Sequence, residues 1–91
     1  MPFLLKVATL NLRHDANRWR ERLPLAVAEL ARERPHLVGL QEVSIPVDQG
    51  GLLASELNRA CREAGQEAGY EIRLQPKMGP QGLREGIAVL S

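Results

Sequence analysis

Two stretches that are apolar on both faces, residues 4–12 and 37–40, flank a segment with helical spacing, and this pattern restricts the fold more than any other feature. In the first stretch Leu4, Ala8, Leu10 and Leu12 fall on one side of an extended strand, and Leu5, Val7 and Thr9 on the other. Apolar residues on both sides predict a strand in a sheet covered on both faces. Between the stretches, Trp19, Leu23, Ala26, Val27, Leu30 and Ala31 recur at helical spacing, with Arg20, Arg22, Glu29, Arg32 and Glu33 opposite. Pro24 interrupts the pattern. Proline fits the first turn of a helix but not its interior, so the regular helix is expected to begin at Pro24, with Trp19 in a preceding turn. Asp15 and Asn17 are candidate caps, and Pro35 closes the segment. Strand, helix and strand in this order predict a right-handed crossover between parallel neighbours.

The remainder extends the same architecture. Residues 44–51, with Pro46 and the Gly50–Gly51 pair, read as a loop. Leu53, Leu57, Ala60, Cys61, Ala64 and Ala68 make a second amphipathic helix. Tyr70, Ile72 and Leu74 alternate with Glu71, Arg73 and Gln75, as in a half-buried strand. A Gly/Pro-bearing loop, residues 76–85, precedes a last apolar strand at residues 87–90. The order β-α-β-α-β-β indicates an α/β fold. At 91 residues the chain is at most one small domain. An apolar strand at its very end leads us to expect residues 1–91 to be the N-terminal part of a larger domain.

Composition narrows the function classes. Cys61 is the one cysteine, which excludes an intrachain disulfide and a cysteine-based zinc site. No stretch reaches the roughly 18 apolar residues of a membrane span, and no signal-peptide core is present, so the expected location is cytoplasmic. Lys and Arg number 12 against 11 Asp and Glu, a net charge of +1. Such balance supplies no global field for nucleic acid, so any phosphate chemistry must come from local groups.

Two local groups stand out. Asn11 lies near the carboxyl end of the first strand and Glu42 ends the second, and ligands of open α/β sheets collect outside the carboxyl ends of strands. A hard divalent cation such as Mg²⁺ prefers oxygen ligands and often takes only one or two carboxylates while keeping waters. Glu42 suits that role, or that of a solvated loop cap. Asn11 can ligate a metal through its amide oxygen or donate from its nitrogen to a phosphate oxygen. Arg13 and His14 are nearby cations for phosphate, or plain surface residues. Trp19 and Cys61 read as packing residues, and His36, at a helix-to-strand junction, as structural.

Thr9-Leu10-Asn11-Leu12-Arg13, Trp19 and Arg22, Arg34-Pro35-His36-Leu37-Val38-Gly39-Leu40-Gln41-Glu42-Val43, and Gly86-Ile87-Ala88-Val89-Leu90-Ser91 together resemble the N-terminal portion of the endonuclease/exonuclease/phosphatase superfamily. These are metal-dependent phosphohydrolases with the deoxyribonuclease I fold. The resemblance spans nearly the whole chain but only about the first third of the family's domain. It implies a portion of a four-layer α/β sandwich. It further implies that Glu42 is the metal-binding glutamate of the Leu-Gln-Glu motif, and that Asn11 is a catalytic asparagine serving the metal and phosphate site. Arg13 is an implied phosphate contact. The cofactor implied is Mg²⁺, with Mn²⁺ as a substitute, and the reaction is in-line attack of water on phosphorus, with a histidine–aspartate pair handling the proton.

The chain departs from the family in two ways. His36 stands where the family usually has aspartate, and the later Gly-Asp-x-Asn and Ser-Asp-His motifs have no counterpart, so neither His14 nor His36 supplies the missing histidine. The isolated chain is therefore expected to be inactive. Expected partners are a phosphoester substrate, with nucleic acid among the classes that could supply it, and either self-association or completion by a C-terminal part. The competing expectation is a non-catalytic α/β module that associates through its open sheet edge or apolar strand face.

Overall fold

A computed structural model describes residues 4–13, 18–67, 69–80 and 84–91. Six elements follow in the expected order: β1 (Val7–Asn11), α1 (Trp19–Glu33), β2 (Leu37–Ser44), α2 (Gln49–Glu63), β3 (Ile72–Pro76) and β4 (Glu85–Leu90). The strands form one mixed sheet in the order β1-β2-β4-β3. β1 and β2 are parallel, with Val7 opposite Leu37 and Asn11 opposite Gln41, and β4 runs antiparallel to both β2 and β3.

Both helices contribute to a core on one face of this sheet. Leu12, Val38, Leu40, Val43, Ala88 and Leu90 from the strand side meet Val27 and Leu30 of α1 and Leu53, Ala54, Leu57 and Cys61 of α2. Burying each of the larger side chains contributes roughly 1.5–3 kcal/mol. The opposite face is different. Val7, Ile87 and Val89 alternate with the core residues and remain about half exposed (55%, 54% and 44%), and no described element covers them. Two-sided apolar strands were expected to be buried on both faces; among the described residues only one face is covered.

Other local expectations are revised by tertiary contacts. α1 begins at Trp19 rather than at Pro24, which lies inside the helix. Trp19 is buried, and the Arg22 guanidinium donates to the Leu12 carbonyl (3.0 Å), so contacts with the end of β1 secure the turn that proline would otherwise discourage. The residue before α1 is Arg18, left-handed at φ 58°; the proposed caps Asp15 and Asn17, like His14, lie outside the described residues. Gly50 and Gly51 belong to the first turn of α2, not to a loop. A Cβ on Gly50 would fall 2.5 Å from Ile72 Cδ1, and one on Gly51 would strike the Asp48 carboxylate. Close approach, rather than a turn, is what these glycines serve. α2 ends at Glu63, one residue before Ala64, and Ala68 lies outside the described residues. Leu74, expected on a half-buried face, is 42% exposed near the sheet edge.

The far side of α2 is clamped to the strand that follows. Asn58 donates from Nδ2 to the Tyr70 carbonyl (3.0 Å) and accepts from the Tyr70 N–H (2.9 Å). The Tyr70 hydroxyl donates to the Pro35 carbonyl, tying this segment to the junction between α1 and β2. Burial pushes the Tyr70 phenol above its ordinary pKa, and the neighbouring Cys61 adds to the effect.

Candidate functional site

The parallel pairing of β1 and β2 brings their carboxyl ends to the same rim of the sheet. There the Asn11 amide donates from Nδ2 to Glu42 Oε2, 2.5 Å away. Its Oδ1 accepts from the Arg13 N–H at 2.8 Å. Both ends of the amide are thus engaged, the nitrogen by a carboxylate and the oxygen by main chain.

Glu42 reaches this position through an irregularity in β2. Leu40 pairs with Ala88 and Val43 with Gly86, which leaves Gln41 and Glu42 opposite the single residue Ile87. Unbroken alternation would put Glu42 on the face of Val38 and Leu40, under the helices. The extra residue shifts the phase, so Val43 takes the core position and Glu42 turns out of it. Glu42 adopts φ 50°, in the left-handed region, and Arg13 does the same at φ 56°. Such conformations disfavour residues with a Cβ and gather at functional sites. Glu42 therefore lies within β2 at a bulge, not at its end as the sequence predicts. Neither Gln41 nor Glu42, the two bulged residues, is a glycine or asparagine that would signal it.

The other singled-out residues lie elsewhere. The Nδ1 atom of His36 accepts the Lys6 N–H (3.0 Å) at the opening of β2. Six residue steps along the strand separate it from Glu42, at most roughly 20 Å. Cys61 is buried in the core. Trp19 carries the Arg20 guanidinium 5.0 Å above its ring and lies between two apolar clefts, one of about 490 Å³ between the helices and one of about 230 Å³ between α1 and β1. The buried Gln49 side chain, which accepts the Ser44 N–H at 2.8 Å, ties the start of α2 to the end of β2.

Among the described residues no group of three or more His, Cys, Asp or Glu stands together as a metal cage. The Asn11–Glu42 pair offers one carboxylate and one amide, a donor set suited to a cation that retains most of its water, as Mg²⁺ does. No described helix is long and apolar enough to cross a membrane.

The fold can be set beside known structures. An endonuclease/exonuclease/phosphatase family protein from Leptotrichia buccalis C-1013-b superposes with a TM-score of 0.78 over 97% of this chain. The two sequences are 16% identical over that alignment, which covers 38% of the other chain. The likeness is one of fold. No protein-family profile matches the sequence, and no curated protein matches it either.

Proposed function

We propose that this chain carries the metal-facing and phosphate-facing part of a metal-dependent phosphoester hydrolase, of the phosphodiesterase, nuclease or phosphatase type, and is the N-terminal part of that enzyme's domain. The observation that carries the reading is the meeting of Asn11, at the carboxyl end of β1, with Glu42, at the bulge of the adjacent parallel strand β2. The fold likeness to a much longer family member supports it. Glu42 would hold Mg²⁺ or Mn²⁺, which when bound neutralises charge on the phosphate oxygens. Asn11 keeps one Nδ2 proton for a phosphate oxygen, without adding charge that would repel an anion or compete for the cation. The exposed Arg13 guanidinium is a second group for that phosphate.

Hydrolysis also needs a group to take the proton of the attacking water. His36 is held at the other end of β2, and one carboxylate with one amide binds a cation weakly, so the 91-residue chain alone is inactive in this reading. Paramagnetic broadening by Mn²⁺ tests the site directly. Signals of Asn11, Arg13 and Glu42 should broaden first, and Glu42→Gln should abolish the effect, with no turnover of a chromogenic phosphodiester by either form. Broadening that ignores the substitution would refute the metal assignment, and turnover lost in Glu42→Ala would refute the inactivity.

A second reading is favoured by one observation, the uncovered face with Val7, Ile87 and Val89. In that reading the chain is a non-catalytic module whose sheet packs against another sheet.

A further inference from the structure

Leu12 is held on three sides. Its side chain is buried, and its N–H donates to the Gln41 carbonyl at 2.9 Å, carrying the β1–β2 ladder one residue past Asn11. Its carbonyl accepts from the Arg22 guanidinium at 3.0 Å, a contact that reaches over from the start of α1. A peptide unit is planar and trans, so its C=O and N–H point in opposite directions. By drawing the Leu12 oxygen toward α1, Arg22 therefore aims the N–H of the next residue the other way. That N–H, of Arg13, donates to Asn11 Oδ1 at 2.8 Å. A side-chain amide has one accepting and one donating end, and with its oxygen taken Asn11 presents Nδ2 to Glu42 Oε2. A cationic donor on a peptide oxygen also polarises the unit and strengthens the bond at its N–H. One run of hydrogen bonds thus leads from a helix residue to the carboxylate, through one peptide unit and one amide.

We propose that Arg22 is a positioning residue: from α1 it fixes the Leu12–Arg13 peptide unit, and through it turns the Asn11 amide to the Glu42 carboxylate before any cation arrives. The proposal deepens the phosphoester reading and rests on it only for the cation. Outer partners that orient a metal ligand typically change affinity by about 10–100-fold when removed. Arg22 stands two hydrogen bonds beyond Asn11, so the lower end of that range is expected.

Arg22→Met keeps an apolar stem and removes every donor, whereas Val27→Ala weakens the core packing of the same helix and leaves the run of hydrogen bonds intact. Without metal, one Asn11 Nδ2 proton of the wild type should resonate well downfield of the other in NMR spectra, because it is bonded to Glu42. Arg22→Met should move both signals toward those of a free amide and weaken Mn²⁺, followed by paramagnetic broadening, about tenfold. Val27→Ala should lower the urea midpoint yet keep the wild-type amide signals and Mn²⁺ affinity. Should methionine unfold the chain, as far-UV circular dichroism would reveal, Arg22→Lys, which keeps one donor group, takes its place with a smaller effect in the same direction. Wild-type amide signals in the Arg22 variant would overturn the proposal, and so would equal changes in the Arg22 and Val27 variants. Moved signals in an Arg22 variant that binds Mn²⁺ as tightly as the wild type would overturn it too. If no form, wild type included, binds Mn²⁺ while the amide signals still set the Arg22 variant apart from Val27→Ala, the metal reading fails and the positioning role stands.

Discussion

Glu42 meets Asn11 across the seam of two parallel strands while holding a left-handed backbone, and the bulge that imposes this conformation also keeps the carboxylate out of the helix-covered core. Stability and chemistry therefore pull in opposite directions at one residue.

Replacing Glu42 with glycine should separate the two. Glycine takes φ 50° without the strain of a Cβ, so Glu42→Gly should leave stability unchanged or raise it by up to about 1 kcal/mol, read from urea unfolding. Mn²⁺ binding should disappear in the same variant. A clear fall in stability would mean that the carboxylate contributes more to the fold than the backbone costs.

Gly86 presents the reverse case. An added Cβ would lie against the Gln75 carbonyl oxygen and 2.9 Å from Pro76 Cα, both backbone atoms of the neighbouring strand. Strand separation has little give, so Gly86→Ala should destabilise by about 1–3 kcal/mol. The urea midpoint measures it.

Tyr70 sets an alkaline limit. Its folded phenol titrates above the unfolded value because burial disfavours the phenolate, and its proton is also the one donated to Pro35. The unfolded chain thus gives up the proton first. The contribution is complete below the unfolded pKa of about 10 and is lost as pH rises through the folded pKa. Melting temperatures taken from pH 8 to about pH 11 should fall more steeply at the alkaline end for the wild type than for Tyr70→Phe. Parallel curves would remove Tyr70 from the explanation.

The uncovered sheet face should drive association. The isolated chain is expected to elute above its 10.1 kDa mass in size-exclusion chromatography, and Ile87→Lys with Val89→Lys should return it to a monomer. A wild-type monomer at high concentration would show that this face tolerates water.

The meeting of Asn11 and Glu42 was readable because strand, helix and strand in that order predict parallel neighbours, whose carboxyl ends share one rim. The bulge was not, since it arises when Ile87 of β4 faces two residues of β2, a pairing that residues 37–44 do not encode. Pro24 and the Gly50–Gly51 pair misled for a related reason. Their local preferences point to a helix start and a loop, but Trp19 and Arg22 hold one helix start against β1, and Ile72 and Val43 crowd the other. Burial on both faces, expected of residues 4–12, is not met among the described residues, since Val7 is exposed, as are Ile87 and Val89 of β4.

Because β4 inserts between β2 and β3, the sheet cannot assemble in the order in which a ribosome releases its strands. A nascent chain can close β1, α1, β2 and α2 early, yet one flank of β2 stays raw until residues 85–90 emerge. That interval, with β3 already made and nothing to pair with, is when a chaperone or a stray strand from another molecule would find this protein most open to capture.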